Sequence, residues 1–247
     1  MESVNTFVEI IPIYALTDNY CYLVHRKGSK RAMLIDASET EPIQRALHQY
    51  GLHLELIIST HHHHDHIGAN QELQAETGAE IWSSLYDLQR VPGSKRGLTD
   101  GEKFSFDGID CEAMMIPGHT LGQISIHIPE AQALFVGDTM FAMGCGRLFE
   151  GTFEQMYESL RRIVALPQTT RVYFGHEYTA NNGGFALQVD PDNRLAIEER
   201  MILAREYVVK NKCVPAPTIA DEMRVNPFLR ARTLSEFRSL RERRNHY

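Results

Sequence analysis

Five of the chain's twelve histidines fall within six residues, in the stretch LIISTHHHHDHIGAN from Leu56 to Asn70. The apolar run before them reads as a buried strand, and Ile67 to Gly78 reads as a helix closed by its glycine. The cluster therefore sits where a strand hands over to a helix. Alternate side chains of extended backbone share a side, so His61 and His63 point one way and His62 the other. Asp65 and His66, at the helix start, reach toward a second, adjacent point. The spacing His61-x-His63-x-Asp65-His66 thus offers ligands for two metal ions from a single loop. Neither ion is complete, because a catalytic zinc commonly takes three protein ligands and keeps one position open. A chain built this way has to supply more ligands at other strand ends.

Three later stretches supply them. MIPGHTLG places His119 after a strand in a Pro/Gly turn, LFVGDTM places Asp138 after another, and VYFGHEYT places His176 after the last clear one. In each, a polar residue follows an apolar run and a glycine, and glycine permits a tight turn and close backbone approach. Taken singly these residues read as caps or hydrogen-bonded core groups, since an Asp after a strand often caps the next helix. A solvated loop or a tag remnant would account for the histidine run alone. Neither accounts for the same residue types recurring at successive strand ends. His62 and His64 are expected to pack or face solvent, with a supporting hydrogen bond to a ligand as the lesser alternative. His25, His48, His53, His127 and His246 have no motif around them.

The organisation along the chain agrees. Strand-like runs TFVEIIPI, YCYLVHR and RAMLID precede a helical pattern with Thr40 as cap and Gly51 as stop, then the strand that ends in the histidines. A second set, IDCEAMMIP, QISIHIP and QALFVGD, precedes a helix capped by Thr152 and broken by Pro167, then the strand RVYFGH. Beyond His176 the pattern turns helical, with NRLAIEERMILAREYVVKN the plainest case. Two groups of strands flanked by helices predict an α/β (α+β) fold, with two sheets face to face and helices outside. The division is expected at residues 1–173 and 174–247, the second part being a small helical domain without strand partners.

Composition narrows the partners. The net charge of −7 argues against a general nucleic-acid binder. The stretch Arg224–Tyr247 nonetheless holds seven Arg and two Glu, which suits an anion site or a solvated helix face. Cys21, Cys111, Cys145 and Cys213 lie far apart and form no C-x-x-C pair, as in a reducing compartment. The start MESVNTFVEIIPIY does not read as a signal peptide, and no apolar run approaches the ~20 residues of a membrane span. A soluble, cytoplasmic protein with neither nucleic-acid nor membrane partner is expected, and a monomer.

The motifs STHHHHDHIGAN, PGHTLGQIS, FVGDTMF and FGHEYT, in this order, resemble the metallo-β-lactamase superfamily over essentially the whole chain. The resemblance implies an αββα sandwich. It implies that His61, His63 and His119 bind one metal, that Asp65, His66 and His176 bind the other, and that Asp138 bridges them. His/Asp ligands suit two zinc ions first, with iron or manganese as alternatives. A metal-bridging hydroxide would then be the nucleophile, with Asp65 as the catalytic residue that orients it. No G-x-S-x-G elbow is present.

Three further stretches, GCGRLFEG, HEYTANN and NPFLRARTLSEFRSLRERRNHY, resemble the hydroxyacylglutathione hydrolase (glyoxalase II) branch of that superfamily. Its pattern is G-C-G-[KR], H-E-Y-T, N-P-F and a terminal R-x-x-[KR], in a helical C-terminal domain. The resemblance implies a small-molecule glutathione thioester as substrate, bound by Arg147, Leu148, Phe149, His176, Tyr178, Arg241 and Arg244. It implies hydrolysis of S-2-hydroxyacylglutathione, S-D-lactoylglutathione above all, to D-lactate and glutathione, the last step of methylglyoxal detoxification. Glutathione carries two carboxylates, which arginine matches with charge-assisted hydrogen bonds, and positions 241 and 244 share a helix face. Phe149 stands where the family often has Tyr, and Arg147 and Arg244 where Lys is common. The Arg244 region, close to Tyr247, is expected to be loosely held. The alternatives are another thioesterase or lactonase of the same fold, a single-iron persulfide dioxygenase, which the full seven-ligand set disfavours, and a metal-storing or nucleic-acid-processing protein. The acid-rich main part speaks against RNA.

Overall fold

The computed structural model describes residues 7–210 and 212–247. The expected first strand's start at Thr6 and the expected helix's end at Asn211 lie outside the described residues. Two compact units divide the chain, Met1–Met115 with Ile124–Phe135, and Ile116–Gln123 with Val136–Tyr247.

The first unit holds β1 (Val8–Ala15), β2 (Asn19–Arg26), β3 (Arg31–Ile35), α1 (Thr40–Tyr50), β4 (His53–Ile58), α2 (His64–Ile67), α3 (Asn70–Thr77), β5 (Glu80–Ser84), β6 (Ser94–Leu98), β7 (Lys103–Phe106), β8 (Ile109–Met115), β9 (Ile124–Ile128) and most of β10 (Ala133–Gly137). β1 to β6 form one sheet in chain order. Its first three strands are antiparallel and the rest parallel. β7 to β10 form an antiparallel meander. The sheets face each other through aromatic pairs, Tyr22 on Phe135 with ring centroids 5.3 Å apart and Trp82 on Phe104 at 5.4 Å. On the outer face of the first sheet, Ile43, Ala46 and Leu47 of α1 and Leu73 of α3 pack in one cluster with Leu23, Leu34, Ile57 and Ile81 of the strands.

Two local expectations change. Thr40 is the first residue of α1 rather than its cap, which is Glu39, and the Glu39 carboxylate accepts the Leu16 amide instead. The single helix expected over Ile67–Gly78 is broken in two. The Ala37 amide donates to the His66 carbonyl at 2.8 Å, and the Ala37 carbonyl accepts the Ala69 amide at 2.9 Å. The backbone after β3 thus replaces one turn's own hydrogen bonds. Gly51 and Gly78 do close their helices in the left-handed region, as expected.

The second unit holds β11 (Met140–Phe141), β12 (Gly144–Cys145), α4 (Phe153–Val164), β13 (Arg171–Phe174), α5 (Thr179–Val189), α6 (Arg194–Val209), α7 (Ile219–Val225), α8 (Pro227–Arg230) and α9 (Leu234–Asn245). Thr152 caps α4 in a complete capping box with Gln155. β13 runs beside the end of β10, with the Gly175 amide on the Gly137 carbonyl at 2.9 Å. The rings of Phe185, Phe228 and Phe237 pack in series, at 5.9 and 6.1 Å. The expectation that the helical tail lacks strand partners is corrected. Thr218 bridges Arg171, the Val172 amide donates to the Pro217 carbonyl, and the Ile219 amide donates to the Thr170 carbonyl. The prolines of VPAPT hold that segment extended, and an edge is where proline is tolerated in a sheet. Among the described residues, no helix is long and apolar enough to cross a membrane.

Glu222 of α7 is fully buried, and burial pushes its carboxyl up from 4.5 to about 7. The folded state therefore favours the protonated acid. The stability this contributes is complete below about pH 4.5 and is lost as pH rises through about 7. The shift corresponds to about 3 kcal/mol. Glu222→Gln is expected to flatten the fall in stability between pH 5 and pH 8 by an amount of that order, measured by urea unfolding of both proteins at each pH.

Candidate functional site

In the first unit, the buried strand β4 delivers its chain to Ser59 and Thr60 and then to the histidines. Ligand atoms of His61 and His63, of His61 and His66, and of Asp65 and His66 lie within 4.8 Å of one another. His61 and His66 are fully buried, while His63 and Asp65 are partly exposed. Asp36, the residue after β3, organises the group. It sits at φ +58°, a left-handed conformation that Asp tolerates better than most residues, and is 2% exposed. Its carboxylate accepts the Thr60 amide at 2.7 Å and the Thr60 hydroxyl at 2.9 Å, and it lies 2.9 Å from His66 Nδ1. Because the Thr60 hydroxyl hydrogen goes to Asp36, its oxygen is left to accept from His61 Nδ1, 3.1 Å away. Both rings then carry their proton on Nδ1 and present Nε2 as a lone pair. Asn19 donates to the Asp65 carboxylate at 3.0 Å and to its carbonyl at 3.2 Å, fixing that side chain. His62 turns away, as expected, against Asp87 at 3.5 Å and Arg90 at 2.6 Å. His64 is exposed.

In the second unit, one carboxylate oxygen of Asp138 stands 3.5 Å from His119 Nε2 and 3.3 Å from His176 Nε2. All three residues are buried. His119 Nδ1 donates to the Arg147 carbonyl at 2.8 Å, while the His119 carbonyl accepts the Phe149 and Glu150 amides. The loop after β12 is thereby stitched to the turn that carries His119. Two glycines make this possible. Gly118 adopts φ +151°, where a side chain would also meet Met156 at 2.8 Å, and a Cβ on Gly146 would collide with the Asp138 carbonyl. His176 stacks on Tyr178 with centroids 4.9 Å apart.

The donor set fits a divalent cation. His66 and His119 are each held through Nδ1 and face a carboxylate through Nε2, the arrangement that orients histidine ligands to metals. Asp36 and Asn19 were missed by sequence reasoning. The signal was present for Asp36, which follows the apolar run RAMLI just as Asp138 follows LFVG. Asn19 carried no such signal.

The second unit also holds a cavity of about 260 Å³ lined by Phe141, Cys145, Arg147, Tyr178, Asn182, Arg241, Arg244, Asn245 and Tyr247. Arg147, Arg241, Arg244 and Tyr178, singled out from the sequence, thus line one cavity. Leu148, Phe149 and His176 are not among its lining residues. Arg241 is 5% exposed and gives Nη1 to the Cys145 carbonyl at 2.7 Å and Nη2 to Asn245 at 3.0 Å. Arg244 donates to Asn182 at 3.2 Å and stacks over the rings of Phe185 and Tyr247. These contacts tie the Arg244 guanidinium to α5 and to the Tyr247 ring. Burial, and then the neighbouring Arg241 guanidinium, lower the Arg244 pKa below its ordinary value. Among the described residues, no carboxylate pairs with any of the three arginines.

Residues 15–176 match the model of the metallo-beta-lactamase superfamily, and residues 177–247 match that of the hydroxyacylglutathione hydrolase C-terminus. A hydroxyacylglutathione hydrolase of Brucella anthropi is 42% identical over 230 residues, covering 93% of this chain and 88% of the relative. One of Rhizobium meliloti is 44% identical, covering 87% of this chain and 84% of the relative. One of Pelagibacter ubique is 38% identical, covering 97% and 100%. Among solved structures, ETHE1 from Myxococcus xanthus superposes with a TM-score of 0.73 at 25% identity, covering 95% of this chain and 90% of that one. TTHA1623 in a di-iron-bound form superposes with a TM-score of 0.64 at 24% identity, covering 88% and 99%. The chain belongs to the metallo-β-lactamase superfamily and, within it, to the family of the hydroxyacylglutathione hydrolases.

The fold and the His/Asp clusters together make this a divalent-metal-binding protein. Asp36→Ala strips the acceptor from Thr60 and from His66. It is expected to weaken metal binding by about 10–100-fold and to lower stability by about 2 kcal/mol, read by zinc titration and by thermal unfolding of the metal-free protein. Zinc affinity equal to that of the wild type would remove Asp36 from this role.

Proposed function

We propose that this chain hydrolyses S-2-hydroxyacylglutathione thioesters, with S-D-lactoylglutathione giving D-lactate and glutathione, as the last step of methylglyoxal detoxification. The observation that carries this reading is the cavity whose arginines, Arg147, Arg241 and Arg244, lack carboxylate partners. Glutathione brings two carboxylates and a peptide backbone, and Tyr178, Asn182 and Asn245 offer that backbone polar partners.

His61, His63 and His119 are read as the ligands of one ion, and Asp65, His66 and His176 as those of the other, with Asp138 shared. Zinc is the metal of choice for this donor set, with iron or manganese as alternatives. Ions bound there would lower the pKa of water and stabilise negative charge on the thioester oxygen. The chain's own groups complete the chemistry. Asp36 and Thr60 keep His66 and His61 in the tautomer with Nε2 unprotonated. Asp65, its carboxylate held by Asn19, is read as the residue that orients the attacking hydroxide. Arg147 and Arg244 hold the glutathione carboxylates, which places the thioester and lets the thiol leave with its carrier. Residues 1–173, together with His176, are the hydrolytic part, and residues 174–247 supply most of the carrier site. The free cysteines suit a reducing cytoplasm, and the monomer is taken as the working unit.

The test is loss of S-D-lactoylglutathione thioester absorbance, measured with metal content. Full activity is expected with metal bound, with loss on chelation and recovery on adding zinc. Arg147→Ala and Arg244→Ala are each expected to raise KM for the glutathione thioester about 10-fold or more. A small thioester without glutathione should be little affected. Equal loss on both substrates would count against the assigned binding role.

A further inference from the structure

The motif NPF, Asn226 to Phe228, marks the tail, yet nothing in the proposed chemistry uses it. Its structural place lies under the hairpin β11–β12. That hairpin has only two residues in each strand, Met140–Phe141 paired with Gly144–Cys145, and so small a ribbon is not stable alone. Its tip is also strained, since Met143 sits at φ +56°, a costly conformation for a residue that is not glycine.

What holds it comes from the helices of the same unit. Asn226 Nδ2 shares its two hydrogens among the Phe141 carbonyl at 3.2 Å, the Gly144 carbonyl at 3.0 Å and Glu222 Oε2. Asn182 donates to the Ala142 carbonyl at 3.0 Å. Arg241 donates to the Cys145 carbonyl at 2.7 Å. The Met143 amide, at the strained tip, donates to Glu222 Oε2 at 2.8 Å. The same oxygen accepts Asn226 at 3.0 Å, so Glu222 fixes both the tip and the residue that clamps the strands. Asn226 Oδ1 accepts the Phe228 amide, which ties the clamp to α8. Glu222 and Asn226 have no exposed surface. The hairpin in turn presents Phe141 and Cys145 to the cavity, Phe141 packs on the Tyr178 ring at 5.0 Å, and the chain beyond Cys145 carries Arg147.

We infer that Glu222 and Asn226 are positioning residues for the glutathione subsite. They hold the Met140–Cys145 hairpin in the one shape that presents Phe141, Tyr178 and Arg147 to the cavity. The inference rests on the proposed function for the identity of the ligand. None of the hydrogen bonds described above joins Glu222 or Asn226 to a metal ligand, while Phe141 of the hairpin lies against the His176 ring at 5.9 Å, so metal content is read alongside KM.

The experiment uses the full, metal-loaded chain with Glu222→Ala, Glu222→Asp and Glu222→Gln. Glutamine keeps an acceptor at the Oε2 position. Alanine removes it, and aspartate, one methylene shorter, cannot reach Met143 while holding Asn226. For Ala and Asp, KM for S-D-lactoylglutathione is expected to rise about 10-fold, with metal content and turnover of a small non-glutathione thioester kept. Gln should restore KM. Hydrogen exchange at the Met143 amide should speed up in Ala and Asp and not in Gln. Should Ala fail to fold, Asp and Gln carry the comparison. A wild-type KM in a folded Asp variant overturns the inference, and so does a Gln variant as impaired as Asp, or equal loss on both thioesters. If the wild type leaves glutathione thioesters untouched, the proposed function fails, while Met143 exchange still reads the clamp by itself.

Discussion

A buried imidazole has two nitrogens, and neither can be left without a partner at low cost. That constraint orders the first unit. His61 and His66 are both fully buried, so the partner chosen for Nδ1 fixes which way Nε2 points and whether it carries a proton. Asp36 answers for both rings, directly for His66 and through the Thr60 hydroxyl for His61. It is anchored in turn by its own amide on the Ile58 carbonyl at 3.0 Å, across two neighbouring parallel strands. The precision of the loop is therefore inherited from the register of β3 and β4, and the loop needs little rigidity of its own. The interruption of the helix after His66 belongs to the same bracing, since Ala37, next to Asp36, supplies the hydrogen bonds that replace the missing turn.

The second unit solves the same problem with backbone. His119 Nδ1 is held by the Arg147 carbonyl, on a loop that can approach only because Gly118 and Gly146 lack side chains. A carbonyl is a fixed, uncharged acceptor, whereas Asp36 is a carboxylate that would strengthen the basicity of its histidine. The imidazoles in the two units are thus set by different means, although both leave Nε2 facing a carboxylate.

The clustered His and Asp side chains were legible as candidates because His61, His119, Asp138 and His176 follow apolar strands, and so were stops such as Gly51 and the cap Thr152. What was not legible depends on contacts between segments far apart in the chain. Asn19 reaches Asp65 across 46 positions, and nothing in YCYLVHR points to it. The break between α2 and α3 lies in a stretch whose periodicity is helical throughout, and a hydrogen bond from another segment overrides that local signal. The edge pairing of Thr218 with Arg171 hides in a proline-rich run that reads as a linker. The sequence pattern of the tail announced helices and arginines. It did not reveal that Arg241 is interior or that Glu222 and Asn226 brace a hairpin some 80 residues earlier.

The interior place of Arg241 bears on function through its cost. A guanidinium held at 5% exposure loses most of its hydration, and here carbonyls, Asn245 and the face of Phe228 stand in for water, with no carboxylate and with Nε left without an acceptor. Apolar residues of similar volume commonly replace buried ionic groups at no loss of stability, so stability alone gives little reason for a cation there. Arg244 beside it adds repulsion, visible in the lowering of its pKa by Arg241. Two cations that destabilise each other, with Arg147 lining the same cavity, form an arrangement that an anionic occupant would relieve. Arg241 then differs from Arg244 in kind. The first is committed to the Cys145 carbonyl and acts through the field it places in the cavity and the loop it holds, while the second keeps donor positions that can turn to a carboxylate. Binding of a peptide with two carboxylates would lower the cost of keeping both, so affinity and local order in this cavity are expected to rise together.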